Sequence, residues 1–96
     1  MSVKTMLETL SALEKLFVDA RDASWAKAFQ ALLEEVQASD SPADVSDTSR
    51  NILHMYRGMG SFNDVLIYTN GTYPRGPNEE LDLLRNRLYE IALQLA

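Results

Sequence analysis

Apolar side chains recur every three or four positions over the first 38 residues, which is the spacing of one face of an α-helix. The pattern predicts a helix over residues 2–22 and a second over residues 25–38, with Ser24 as the N-cap of the second. Extra leucines widen the first apolar stripe, so the first helix is expected to contact two neighbours. The short connection predicts that the two helices pack antiparallel. The apolar positions are Val3, Met6, Leu7, Leu10, Leu13, Leu16, Phe17, Ala20, Trp25, Ala28, Phe29, Leu32, Leu33 and Val36.

Two further helices are predicted in the second half of the chain. Ser41, Pro42 and Asp44 form a start signal that resembles a capping box, which predicts a third helix over residues 42–57 with a thin apolar stripe. Asn78 is a suitable N-cap for a fourth helix that continues to the C-terminus. This last helix has the strongest apolar face, at Leu81, Leu84, Leu88, Ile91, Ala92 and Leu95.

Helical periodicity stops between the third and fourth helices. Gly58 and Gly60 suit turns of the backbone, and Phe62 is expected to return to the core. Residues 65–68 have the composition of a strand, and Asn70-Gly71 is a two-residue hairpin signal. Because Pro74 shortens the return arm, an extended or weakly paired segment held against the helices is expected near residues 64–73.

These elements predict an all-α fold, or an α fold with a minimal β-hairpin, arranged as a four-helix antiparallel bundle. A chain of 96 residues is long enough for one domain but not for two, so residues 1–96 are interpreted as a single helical domain.

The chain contains no cysteine, which removes disulfides, thiolate metal sites and cysteine nucleophiles from consideration. The N-terminal residues lack the uninterrupted apolar run of a signal peptide, and no segment approaches the roughly 20 apolar residues of a membrane span. These features predict a cytoplasmic protein that does not bind membranes.

The net charge of −5 is concentrated in one part of the chain. Residues 24–49 carry one lysine against five acidic side chains and therefore have a net charge of −4. Such a segment repels phosphate backbones, so nucleic-acid binding is disfavoured. The acidic residues form either a solvated face or a docking surface for a basic protein. They are Glu34, Glu35, Asp40, Asp44 and Asp47.

Catalytic and cofactor sites have weak support in the sequence. His54 is the only histidine, and Ser61 and Asp64 lie within reach along the chain, but the surrounding residues do not resemble a nucleophile elbow. Gly58-Met59-Gly60 follows a helix and lacks the lysine of a phosphate-binding loop. No metal-ligand spacing is present, so no catalytic residue, metal or cofactor is predicted.

The central stretch resembles a family of small uncharacterised bacterial helical proteins. The resemblance depends on Trp25, on the run from Gly58 to Ile67 that contains Gly-Ser-Phe-Asn-Asp, and on the Asn78-led terminal helix. It covers residues 25–93 and implies a bacterial origin. Compact acidic proteins of this kind are similar to the immunity partners of bacterial toxins, an analogy of size and charge.

The leading hypothesis is therefore a non-enzymatic protein that binds a basic partner, such as a cognate toxin. The acidic side chains would steer association, and side chains near the central stretch would anchor the interface. One alternative is a helical adaptor that forms a homodimer. A second is a small enzyme or ligand-binding domain around His54, Arg57, Ser61 and Asp64. Asn63 and Asp64 are expected either to be turn formers whose side chains bond nearby amides or to offer polar groups to a partner. The candidate binding residues besides the acidic ones are Arg57, Met59, Asn63, Asp64, Tyr68, Tyr73 and Arg75.

Overall fold

The computed structural model describes residues 2–58 and 60–96 and contains four helices in that part of the chain. They are α1 (Val3–Asp19), α2 (Ala23–Gln37), α3 (Pro42–His54) and α4 (Arg75–Leu95). A short 3₁₀ turn, Phe62–Asp64, lies between α3 and α4. The only β pairing in the described residues is one antiparallel bridge between Thr69 and Thr72. The predicted all-α bundle is confirmed, and the hairpin is minimal.

The helices pack antiparallel, and α1 lies between α2 and α4. Phe17 near the end of α1 stacks on Trp25 and Phe29 in the first half of α2, with ring centroids 6.1 and 5.7 Å away. At the other end of the bundle, Val45 near the start of α3 lies beside Leu95 at the end of α4. The wide apolar stripe of α1 therefore contacts two neighbours, as predicted.

The connection between α1 and α2 corrects the predicted N-cap. Arg21 adopts a left-handed conformation with φ of 60°, and the amide of Asp22 donates to the carbonyl of Phe17 at 2.9 Å, which closes α1. The carboxylate of Asp22 then accepts the amide of Trp25 at 3.2 Å. The N-cap of α2 is therefore Asp22, and the prediction of Ser24 was wrong because the helix begins at Ala23.

The predicted start of α3 is confirmed. Ser41 caps the helix by accepting the amide of Asp44 at 3.2 Å. The carboxylate of Asp44 accepts the amide of Asp40 at 3.1 Å. A standard capping box uses the amide of the N-cap residue, here Ser41, so the bond is shifted by one residue toward the N-terminus.

The start of α4 also corrects the sequence analysis. The helix begins at Arg75, with Pro74 at the N-cap position, so Asn78 lies inside the first turn and does not cap the helix. Pro77 is accommodated because the first-turn amides have no helical acceptor to lose. The side chain of Asn78 is therefore available for another contact.

Aromatic side chains form the centre of the core. Phe17, Phe29 and Phe62 are completely buried, and the half-buried Trp25 packs against all three. Burial of Phe62 was predicted from the sequence and is confirmed. None of the helices among the described residues is long and apolar enough to span a membrane.

Candidate functional site

The turn after α3 uses its polar side chains to hold its own backbone. The side-chain amide of Asn63 donates to the carbonyl of Tyr56 at 2.9 Å, near the end of α3. The carboxylate of Asp64 accepts the amide of Gly60 at 2.9 Å. Both side chains were predicted to bind a partner, and both remain exposed, but each already has a structural role.

A buried arginine holds the same turn from α4. Arg85 is only 6% exposed, and one of its terminal nitrogens donates to the carbonyls of Phe62 at 2.7 Å and Val65 at 2.9 Å. The guanidinium also pairs with Asp82 and lies 5.5 Å from the centre of the Phe62 ring. One charged group thus provides donors to two carbonyls of the turn, of which only that of Phe62 has a second donor, the amide of Val65 at 3.3 Å.

Tyr56 connects the end of α3 to the middle of α4. Its hydroxyl donates to the carbonyl of Arg85 at 2.8 Å, and its ring contacts Phe62 and Tyr89 edge-on. Burial raises the pKa of the Tyr56 hydroxyl, an effect that the nearby Arg85 charge partly opposes. The phenol therefore stays protonated and acts as a hydrogen-bond donor.

The arrangement of His54, Ser61 and Asp64 does not provide an accessible catalytic triad. His54 is exposed, whereas the Ser61 hydroxyl oxygen is buried and has no hydrogen-bond partner among the described residues. The carboxylate of Asp64 is engaged with the Gly60 amide. A buried hydroxyl without an adjacent base lacks the geometry of an activated nucleophile.

The extended segment after the turn is fastened along one edge. The side chain of Asn78 accepts the amide of Ile67 at 2.8 Å and donates to the carbonyl of the same residue at 3.0 Å. This two-bond contact imitates a β-bridge, and Ile67 is buried. The backbone groups of Leu66 and Tyr68 have no hydrogen bond to any described residue.

Beyond that contact, three apolar side chains project into solvent, and we refer to Leu66, Tyr68 and Tyr73 as the apolar tip. They are 57%, 57% and 64% exposed, and the rings of the two tyrosines are 4.9 Å apart. Asn70 and Gly71 both have positive φ, at 51° and 79°, as the predicted hairpin turn requires. Arg75, a further predicted binding residue, pairs with Glu79 at 2.7 Å.

The five predicted acidic residues lie where α2 meets α3, and we call this region the acidic corner. Glu35, Asp44 and Asp47 surround a depression of about 240 Å³. Glu35 accepts a hydrogen bond from the buried Thr48 at 2.8 Å, and Asp47 pairs with Arg50. The two remaining members, Glu34 and Asp40, are exposed.

The predicted binding residues therefore fall at opposite ends of the molecule. The acidic corner contains the start of α3, which lies beside the end of α4. The apolar tip is fastened to the first turn of α4. A helix of 21 residues is about 30 Å long, and the longest dimension of the molecule is 44 Å.

Arg57 and Asn63 are brought together in a third place, a groove between the end of α3 and the outer flank of α4. This α3–α4 groove has a volume of about 280 Å³ and is also lined by Asn86, Tyr89 and Leu93. Met59, the last predicted binding residue, lies outside the described residues.

Sequence reasoning missed two polar residues with structural roles. Arg85 interrupts the apolar face of α4 between Leu81 and Leu88, and a charged residue in such a stripe is a signal that it has buried partners. Thr48, which is 2% exposed, has no comparable signal because threonine is common on helix surfaces.

Comparisons with known proteins provide one match. A family model described as a domain of unknown function, DUF6966, matches residues 19–75, which include α2, α3 and the central turn. No curated protein and no solved structure matches the chain. Among the described residues, no group of three or more histidine, cysteine or carboxylate side chains is placed to hold a metal ion.

Proposed function

The chain belongs to the DUF6966 family, and from that premise we propose that it is a non-enzymatic cytoplasmic protein that binds another protein. The partner we propose is a basic toxin whose active cleft the chain blocks, which makes the chain an immunity protein. The apolar tip provides the anchors of the interface, and the acidic corner provides electrostatic complementarity.

The exposed apolar tip is the observation on which this proposal depends. Exposed apolar residues that form a contiguous patch often mark an interaction surface, and aromatic anchors contribute much of the energy of an interface. Asn78 and Arg85 hold the segment in place before binding. Less conformational entropy is then lost on association, which favours affinity.

The open backbone edge of Leu66 and Tyr68 adds to this surface. An extended segment of the partner can pair with these free amides and carbonyls while its side chains contact the apolar tip. The contact needs no movement of the core, because α4 is bonded to the backbone of Val65 and Ile67 and not to that of Leu66 or Tyr68.

The acidic corner supports a basic partner. Charges of one sign on a surface raise the association rate of an oppositely charged protein. At physiological ionic strength, however, screening acts over about 8 Å. Because the acidic corner and the apolar tip are at opposite ends of the molecule, the partner must be long enough to contact both, or the acidic corner must act mainly at low salt.

The first experiment is capture of the tagged protein with the protein encoded beside it co-expressed. The expected result is one stoichiometric basic partner whose toxicity disappears when this protein is present. The Tyr68→Ser, Tyr73→Ser double variant should lose both capture and protection. Equal protection by the double variant would contradict the assignment of the anchors.

A kinetic comparison separates the two surfaces. We expect the tip double variant to raise the dissociation rate by at least about 30-fold, since the loss of even one hot-spot residue costs about 2 kcal/mol. The Glu34→Lys, Asp40→Lys variant should slow association about tenfold at low salt. Neither of these side chains bonds to a described residue, so the fold is not disturbed.

The matched control is the Glu8→Lys, Glu90→Lys variant, which changes the net charge equally at exposed positions outside the acidic corner. If both charge variants slow association equally, net charge is responsible and the acidic corner has no special role.

The adaptor alternative makes a different prediction. Leu83 and Leu93 on α4 are 58% and 54% exposed, which favours contact with a second copy. Sedimentation of the purified protein would then show a stable homodimer, and capture would recover only the chain itself.

A further inference from the structure

The residues that line the α3–α4 groove carry a net positive charge, whereas the molecule as a whole is acidic. The chain has a net charge of −5, yet Arg57 is the only ionised side chain among the residues that line the groove. The guanidinium of Arg57 is exposed and makes no hydrogen bond or ion pair with any described residue. An unpaired arginine in a concave surface is a suitable partner for a carboxylate, which it binds through two parallel hydrogen bonds.

Neutral polar groups lie around this cation. Asn63 and Asn86 line the groove with side-chain amides, and Tyr89, a residue that is 41% exposed, contributes a hydroxyl and a ring. These groups can donate to a carboxylate oxygen or accept from a neighbouring amide. None of the residues that line the groove is acidic, so an anion meets no repulsion from the walls.

Apolar side chains provide the remaining surface. Leu53 lines the α3 side, and Leu93 lines the α4 side with more than half of its surface exposed. A volume of about 280 Å³ is near the lower limit of small-molecule sites, which is about 300 Å³. The space therefore fits a compact apolar group but not a large cofactor.

The walls of the groove are held in place without a ligand. The Tyr56 hydroxyl donates to the Arg85 carbonyl, which joins the two helices, and Asn63 donates to the Tyr56 carbonyl. The edge-on contact between Tyr56 and Tyr89, with centroids 5.1 Å apart, fixes the ring that faces the groove. A ligand would thus bind to a preformed surface.

We propose that the α3–α4 groove binds a carboxylate attached to a compact apolar body. Arg57 pairs with the carboxylate, the amides of Asn63 and Asn86 complete its polar contacts, and Leu53 and Leu93 contact the apolar part. This chemistry is found in a small free acid and in a peptide that ends in an apolar residue with a free C-terminus.

The test is a titration of the isotopically labelled protein, followed by amide chemical shifts, with 4-methylpentanoate, phenylacetate and their neutral amides. The expected result is saturable shifts confined to the residues of the groove for the acids and none for the amides. Arg57→Gln should weaken binding about tenfold or more. Arg87→Gln removes an exposed arginine elsewhere on α4 and should leave binding unchanged.

A second variant tests whether the ligand occupies the groove. Asn86→Trp places a bulky ring in the groove at an exposed position and should abolish binding while the unfolding midpoint stays the same. Equal affinity of the wild type, Arg57→Gln and Asn86→Trp proteins would overturn the proposal. Shifts spread over all exposed arginines would also overturn it, since they indicate non-specific anion binding.

A comparison of two peptides with the free acid identifies the source of the carboxylate. A tripeptide that ends in leucine is compared with its C-terminally amidated form and with 4-methylpentanoate. Tighter binding of the free peptide assigns the groove to a chain terminus, and tighter binding of the free acid assigns it to a small metabolite. If none of the three binds, the proposal is wrong. Because no partner protein is present, this result is independent of the proposed immunity function.

Discussion

The turn at residues 61–65 and the apolar tip that follows it are neighbours in the chain but differ in the use of their side chains. The turn is held by internal hydrogen bonds from Asn63, Asp64 and Arg85, and Phe62 is buried in the core. The tip exposes Tyr68 and Tyr73, whose ring centroids lie 4.9 Å apart. The comparison indicates that the polar motif is structural and that the apolar residues beside it remain exposed.

The largest expected effect is at Phe62, the residue that joins the turn to the core. Phe62→Ala removes a completely buried ring that contacts four other aromatic residues, and it should lower the free energy of unfolding by about 3 to 5 kcal/mol. Urea unfolding followed by circular dichroism measures the change. Phe62→Leu keeps most of the volume and should lose less, and an unchanged midpoint for Phe62→Ala would mean that the turn is not part of the core.

The next effect is at Arg85. Arg85→Met leaves the carbonyl of Val65 without its donor and the carbonyl of Phe62 with only the 3.3 Å bond from the Val65 amide, and we expect a loss of about 2 to 3 kcal/mol. Arg87→Met is the matched control on the same helix, because Arg87 is exposed, and it should change stability by less than about 0.5 kcal/mol. Similar losses in both variants would point to helix propensity and not to the turn.

Asn78 connects the segment of the apolar tip to α4, so its replacement shows whether the tip can open while the turn stays closed. Asn78→Ala should lower the free energy of unfolding by about 1 to 2 kcal/mol and should accelerate hydrogen exchange of the Ile67 amide. Exchange of the Phe62 amide, which donates to the Met55 carbonyl at 2.8 Å, should change much less. Equal acceleration at both amides would show that turn and tip open as one unit.

Tyr56 makes the free energy of unfolding depend on pH in the alkaline range. Since burial raises the pKa of its hydroxyl above the ordinary value of 10.0, the unfolded chain releases this proton first as the pH rises. The stabilising contribution is complete below about pH 10 and is lost progressively above it. Tyr56→Phe should cost about 1 kcal/mol at pH 7 and should reduce the alkaline loss of stability, measured by urea unfolding between pH 7 and pH 11. An alkaline loss as large as that of the wild type would assign the effect to other groups.

The smallest effect is expected at the tip. Tyr68→Ala and Tyr73→Ala should each change the free energy of unfolding by less than about 0.5 kcal/mol, because both side chains are more than half exposed. Loss of partner binding without loss of stability would sharpen the contrast with the turn. A cost as large as that of Asn78→Ala would remove the contrast, since the tyrosines would then be structural.

The sequence predicted the helices well because each one has an apolar face with local periodicity. It also predicted the Ser41 cap, the burial of Phe62 and the Asn70-Gly71 turn, all of which are confirmed. Caps are harder to assign where several candidates are adjacent, as the choice between Asp22 and Ser24 shows.

The roles of the polar residues were not predictable in the same way. Asn78 was interpreted as a cap, although its side chain binds Ile67 eleven positions away. Arg85 reaches Phe62 across 23 positions. The sequence left Asn63 and Asp64 with two roles, and the structure shows the turn-forming one, since Asp64 accepts the amide of Gly60. The α3–α4 groove also combines residues from two helices and a turn, so no local pattern describes it.

Four amphipathic helices, a single core and a concentrated acidic segment were thus properties of the sequence alone, because burial of apolar surface is non-directional and follows periodicity. The tertiary structure decided which polar groups are used internally, which aromatic residues remain exposed, and that the acidic corner and the apolar tip lie at opposite ends. Hydrogen bonds are directional and short, so their partners depend on how distant segments meet in space.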